Sequence, residues 1–180
     1  MTKTLVPIAL LLFTISCNDQ GKGSGTAEDT MDSEKSATSA PYEYTARPFY
    51  YSKFEPGDPK QANIVIELWK MFDANSLESG LHYYADTVEL WTNDGWKFRG
   101  PKDSLMDIMI KLRGVYTAVR TDVAAVIPIR SIERDENWVS IYGTEYLTIK
   151  NRVDSADVQE NWRFNKEGKV DMMHAYKRKK

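Results

Sequence analysis

The sequence predicts an α+β domain: three helices near the start of the domain, packed on a strongly curved, mainly antiparallel sheet. Three observations carry this expectation. Apolar residues recur at helical spacing up to about position 114, the period then changes to two, and long strands parted by short polar turns fill the rest of the chain. With 180 residues, 42% of them hydrophobic and 28% charged, the composition is that of one ordinary domain and excludes a repeat array or a chain disordered throughout. A formal charge of −2 and a pI near 5.8 offer no basic face to neutralise phosphates, so no nucleic-acid partner is expected.

At the amino terminus, Lys3 precedes an apolar run over 5–15 that ends at Ser16 and Cys17, the charged, apolar and small-residue parts of a secretory signal. That run is too short for a permanent span, which needs roughly 20 residues. Thr14-Ile15-Ser16-Cys17 resembles a bacterial lipobox, with Thr14 where leucine is common. The resemblance implies that residues 1–16 are a lipoprotein signal peptide and that a lipid on Cys17 anchors the protein in a bacterial envelope membrane. The plainer reading of Cys17 is a free thiol after an unlipidated signal. Because Cys17 is the only cysteine, no disulfide staples the domain under either reading.

Residues 17–40 are small and polar, with no aromatic side chain and a net charge of −3, and read as a flexible acidic tether that cannot bury enough apolar surface to order itself. The remainder carries 21 basic and 21 acidic residues. Over 41–57 the composition reverses: Tyr42, Tyr44, Phe49, Tyr50, Tyr51 and Phe54 crowd around Pro48. So many rings seldom stay in water, and the segment reads either as an extended strap across the domain or as a docking segment for a partner.

The folded domain is expected over 58–180. Asp58 as N-cap, Pro59 in the first turn and Gln61 completing a capping box open a first helix of about 16 residues, with Val65, Leu68, Trp69 and Phe72 as its buried stripe and its end near Ala74. Leu77, Leu81 and Tyr84 suggest a second, shorter helix from Ser76. Strands over 87–92 and 96–99 flank the hairpin signal Asn93-Asp94-Gly95. Pro101 opens a third helix with the stripe Leu105, Ile108, Met109 and Leu112, closed near Gly114. Strands then follow over 119–133, 138–150, 158–165 and 170–177. Within 138–150, one parity holds Val139, Ile141, Leu147 and Ile149 and the other Trp138, Tyr142 and Tyr146. Both faces of that sheet are therefore expected to be covered, one by helices and the other by the strap or a second subunit.

This arrangement resembles the nuclear transport factor 2-like superfamily, within it the SnoaL-like and ketosteroid-isomerase-like cone. The residues that carry the resemblance are Ile66-Glu67-Leu68-Trp69-Lys70-Met71-Phe72, Tyr84-Ala85-Asp86-Thr87-Val88-Glu89-Leu90, Phe98-Arg99-Gly100, Trp162-Arg163-Phe164 and Gly168-Lys169-Val170. It implies a cone-shaped α+β barrel enclosing a pocket, usually in a homodimer. Function does not follow from the fold, since the cone hosts isomerases, cyclases, dehydratases, hydrolases and proteins without known chemistry.

The chemistry has to come from side chains. Glu160, His174 and Glu145 interrupt otherwise apolar parities of the late strands and are the candidate catalytic cluster, with Glu160 as acid and His174 or Glu145 as base. The plain alternative is that all three pair with neighbouring polar groups or reach solvent. Glu160 also falls where the resemblance to ketosteroid isomerases places the acid of the oxyanion hole, but Leu90 or Trp91 stands at the position of their base and Leu68 at that of their helix-one tyrosine, so isomerase activity is not expected. Trp69, Phe72, Trp91, Tyr142 and Trp162 are the candidate lining of a pocket for a small apolar ligand, or simply core. Asp86 and Asp122 read as turn and strand-start residues. Two histidines and a cysteine-free domain give no zinc site, no phosphate loop or nucleophile elbow is present, and no cofactor is expected. The basic end Lys177-Arg178-Lys179-Lys180 reads as a solvated tail. The leading expectation is a non-catalytic cone that binds a small apolar ligand or a protein partner; the alternatives are a SnoaL-like enzyme acting through Glu160 and a structural dimer with a filled cone.

Overall fold

The computed structural model describes residues 53–179. The signal peptide, the tether with Cys17, and all of the strap before Lys53 lie outside the described residues. Strand β1 is Phe54–Pro56, followed by helix α1 at Pro59–Ala74. The Asp58 carboxylate accepts from the Lys60 backbone N–H at 2.8 Å, which satisfies one of the donors a helix start leaves free. The expected capping box is half formed: Gln61 is buried and its Oε1 has no partner among the described residues. Asn75, in the left-handed region at φ 56°, ends the helix and returns its N–H to Phe72 O.

A 3₁₀ helix, Leu77–Tyr83, replaces the short α-helix expected there. Gly80 permits close contact with α1, because a Cβ at that position would lie 2.7 Å from Leu68 Cδ2 and 2.9 Å from Met71 Sδ. The segment is pressed onto α1. Strands β2 (Tyr84–Thr92) and β3 (Lys97–Pro101) form the anticipated hairpin, with Gly95 at φ 89° and Asp94 accepting from the Thr92 hydroxyl and the Trp96 N–H. Helix α2, Lys102–Arg113, buries Leu105 and Met106 instead of the whole expected stripe, and Leu112 is 46% exposed. It packs on the 3₁₀ helix, β2 and β3, so its far turn overhangs an opening.

Strands β4 (Ala118–Ser131), β5 (Glu136–Ile149), β6 (Arg152–Phe164) and β7 (Val170–Lys179) complete the sheet. Its order is β1-β4-β5-β6-β7-β2-β3, antiparallel except for the parallel β2–β7 pair. Strand β6 starts six residues earlier than expected because Lys150 and Asn151, at φ 46° and 67°, make a two-residue turn that pairs Ile149 directly with Arg152. A register shift between Val123 and Ala125, opposite Gly143, adds the kink that bends β4 and β5 over α1. Gly143 faces that helix: a Cβ there would lie 2.6 Å from Asp122 O and 2.9 Å from Trp69 Cζ3.

The concave face buries Val139, Ile141, Gly143 and Glu145 of β5 against Val65, Leu68 and Trp69 of α1 and Trp162 and Phe164 of β6. Trp138, Tyr142 and Tyr146 occupy the opposite face and remain partly exposed among the described residues.

Candidate functional site

Strand register decides which late-strand side chains meet. Glu160 pairs with Ile141 on one side and Ala175 on the other, and Trp162 with Val139 and Met173, so all six face the concave side. There Glu160, Trp162, Met173 and Ala175 border a cavity of about 280 Å³ closed by Leu68, Trp69 and Phe72 of α1, Leu77, Tyr84 and Leu90. Met109 and Leu112 of α2 line it together with Thr92-Asn93-Asp94 of the β2–β3 hairpin. The wall is apolar apart from a few groups, a composition typical of small-molecule sites.

Glu160 is the central polar group. The Trp69 indole N–H donates to its Oε2 at 2.6 Å and the Trp162 indole N–H to the same oxygen at 3.0 Å. Indole nitrogens only donate, so Oε2 must act as an acceptor. Any proton on this carboxyl therefore sits on Oε1, which no hydrogen bond reaches among the described residues. Burial pushes the Glu160 pKa up to about 7, opposed by the Trp69 bond, reinforced by the charge of Glu145 and opposed again by Trp162 and Lys177. Tyr84, which is buried, has its phenol pKa raised by desolvation and then by Glu160.

Glu145, 8% exposed, shares the cavity wall and forms an ion pair with Lys177, whose ammonium donates to Oε2. Lys177 therefore belongs to the site and is not a free tail residue. The sequence carried a signal for it, since Lys177 continues the Met173–Ala175 parity of β7, but a run of four basic residues masked that signal. Tyr84 was assigned to a helix and its place in the cavity was missed for the same reason of local context.

His174 does not join this cluster. It pairs with Asn161, one step out of phase with Glu160, and so lies on the convex face, between Trp91 at 5.0 Å and Trp138 at 5.8 Å between ring centroids. Burial and then Arg163 lower its pKa, with Glu89 opposing, and its Nε2 has no partner among the described residues. A base on the far side of a sheet cannot serve a ligand inside the cone. Trp91 and Tyr142 share that convex face, so of the five candidate lining aromatics only Trp69, Phe72 and Trp162 border the cavity. Asp86 pairs with Lys102 at 2.9 Å and Asp122 with Arg120 at 2.9 Å, both on the surface.

What the site can do follows from these positions. A neutral Glu160 offers one hydrogen-bond donor, Oε1–H, in a mostly apolar cavity. The adjacent carboxylate is already held by a lysine at the wall.

No family model and no curated protein sequence matches the chain. Among solved structures it is similar to an LEH-like epoxide hydrolase from M. tuberculosis, with a TM-score of 0.55 at 11% identity, covering 66% of this chain and 83% of that one. It is also similar to AusH from Aspergillus nidulans, with a TM-score of 0.54 at 12% identity, covering 68% and 86%. Likeness at such identity is a likeness of fold: helices laid in the hollow of a curved, mainly antiparallel sheet.

Proposed function

We propose that this protein binds a small, mostly apolar compound that carries an accepting oxygen, and that Glu160 recognises that oxygen. The carrying observation is the placement of both indole donors on Oε2, which leaves Oε1 as the only position for a proton and the only donor of that carboxyl free to meet a ligand. The test is affinity for a panel of cyclic ketones and epoxides, with their parent hydrocarbons as controls, on the purified full chain. Oxygenated members should bind about tenfold more tightly, the worth of one good hydrogen bond. Their affinity should fall as pH rises through about 7, when Oε1 loses its proton. Equal affinity for the hydrocarbons, or a flat pH profile, would sink the reading.

A second reading is catalytic, and the observation favouring it is that two carboxyls of different character share the cavity. A protonated Glu160 suits a general acid and the ion-paired Glu145 a general base for water, the division of labour that opening a strained ether requires. The M. tuberculosis neighbour is named as an epoxide hydrolase, which makes epoxides the first substrates to try. Glu160→Gln separates the two readings. The amide oxygen can take both indole bonds while the NH₂ replaces Oε1–H, so binding should persist and lose its pH dependence, whereas any turnover should end.

The same proposal places the protein in a bacterial envelope, lipidated at Cys17. Lys3, the apolar run over 5–15 and Thr14-Ile15-Ser16-Cys17 support that placement. Labelled palmitate should enter the wild-type chain in a bacterial host and fail to enter Cys17→Ala; a labelled alanine variant would refute lipidation at that thiol.

A further inference from the structure

The convex face of the sheet carries an aromatic stripe that its position does not predict. A sheet covered on one side only should show polar residues on the other. Here the outward parity of β5 sets Trp138, Tyr142 and Tyr146 among Ser140 and Thr144, with Ile127 and Ile129 beside them on β4, and Ile127 is 47% exposed.

We propose that residues 41–52 of the same chain lie along this face, over β4 and β5, and occupy in cis the surface that a second copy would otherwise cover. Where the described chain begins supports this. Strand β1 runs antiparallel to the outer edge of β4, with Phe54 opposite Ser131, and Ile132 N–H donates to Lys53 O at 3.3 Å. The described chain therefore starts, at Lys53, at the end of the sheet that holds the β4–β5 turn, with β4 between it and Trp138, which pairs with Ile129. Twelve extended residues reach about 40 Å. The stretch of β5 from Trp138 to Tyr146 measures about 26 Å at the same rise per residue. The segment is long enough to cover the stripe and carries rings to match it: Tyr42, Tyr44, Phe49, Tyr50 and Tyr51.

Charge and entropy favour this occupant over a separate molecule. Glu43 and Arg47 leave the segment neutral, so nothing in it selects a charged partner. Its attachment at β1 gives it an effective concentration at the face in the millimolar range, far above that of a second copy in solution. The expected consequence is a monomer, which departs from the homodimer that the family resemblance implies.

A photo-crosslinker tests this in the full chain. Tyr142→benzoylphenylalanine, with Tyr146→benzoylphenylalanine as a second site should the first fail to fold, is irradiated and digested for mass spectrometry. The expected product is a species of monomer mass whose crosslinked peptide falls within 41–52. A crosslink of dimer mass would overturn the proposal in favour of a second copy, and the absence of any crosslink within the chain would overturn it in favour of an open face. Light scattering of the wild-type chain should read one protomer; a dimer would overturn the expected consequence.

Discussion

Glu160 combines the two properties that make one side chain decide a site: it is largely withdrawn from solvent into an apolar wall, and its hydrogen bonds among the described residues come from donors that cannot accept a proton back. Its pKa, raised from 4.5 to about 7, makes stability depend on pH with a definite sign. Below pH 4.5 the carboxyl is neutral folded or unfolded; between 4.5 and about 7 the unfolded chain ionises first, so the folded state loses ground, on the order of 3 kcal/mol in all. His174, with its pKa lowered, gives the opposite slope below 6.5. The difference between wild type and Glu160→Gln in urea unfolding at a series of pH values therefore isolates the carboxyl, and the variant should gain on the wild type as pH rises. Trp69→Phe should push the Glu160 titration higher still, because the lost indole bond favoured the charged form; a midpoint that stays or falls in a carbon-13 carboxyl titration would contradict the geometry. Glu160 was legible in the sequence as a charge on an apolar parity of one strand. His174 looked equivalent by that criterion, and only pairing shows that the two parities fall on opposite faces.

The helices are held to the sheet by a few specific contacts. Arg113, at the end of α2 and only 6% exposed, donates to Phe72 O at 2.6 Å, Asp73 O at 2.9 Å and Tyr116 O at 2.9 Å. It thus closes the carboxyl end of α1 from another helix, in keeping with the partial negative charge there. Arg113→Met should cost about 2–4 kcal/mol in denaturant unfolding, since it strands buried carbonyls; a loss under about 1 kcal/mol would show that water replaces it. Asp73 ties the same turn to β4 by accepting from the Thr121 N–H and hydroxyl. Gly143→Ala should act on the site and not only on stability, because the added methyl meets Trp69 and the Asp122 carbonyl. Displacing that indole weakens its bond to Glu160, so ligand affinity should fall along with the melting temperature. The length of α1 and the β2–β3 hairpin were readable from caps and turn residues, which act locally. The Lys150-Asn151 turn was not, because Lys150 gives no signal for positive φ and the polar run after Asn151 hides where the turn closes.

Over the described residues the domain is a curved sheet whose hollow is left incompletely filled. Filling that space should stabilise every element at once: a ligand at a hundred times its Kd adds about 2.7 kcal/mol to unfolding, visible as a rise in melting temperature that Glu160→Gln retains and a bulky Ala175→Trp abolishes. A cavity ligand that leaves the melting temperature unchanged would place binding elsewhere. Periodicity, caps and turn residues were enough for the α+β class, the bounds of α1 and the place of Glu160 on an apolar parity, because each depends on neighbours within a few positions along the chain. The parallel β2–β7 pairing, the separation of His174 from Glu160, the entry of Lys177 and Tyr84 into the site and the aromatic stripe on the convex face were settled only in three dimensions. Each of those depends on register between strands distant in sequence, where a shift of one residue exchanges the two faces of the sheet.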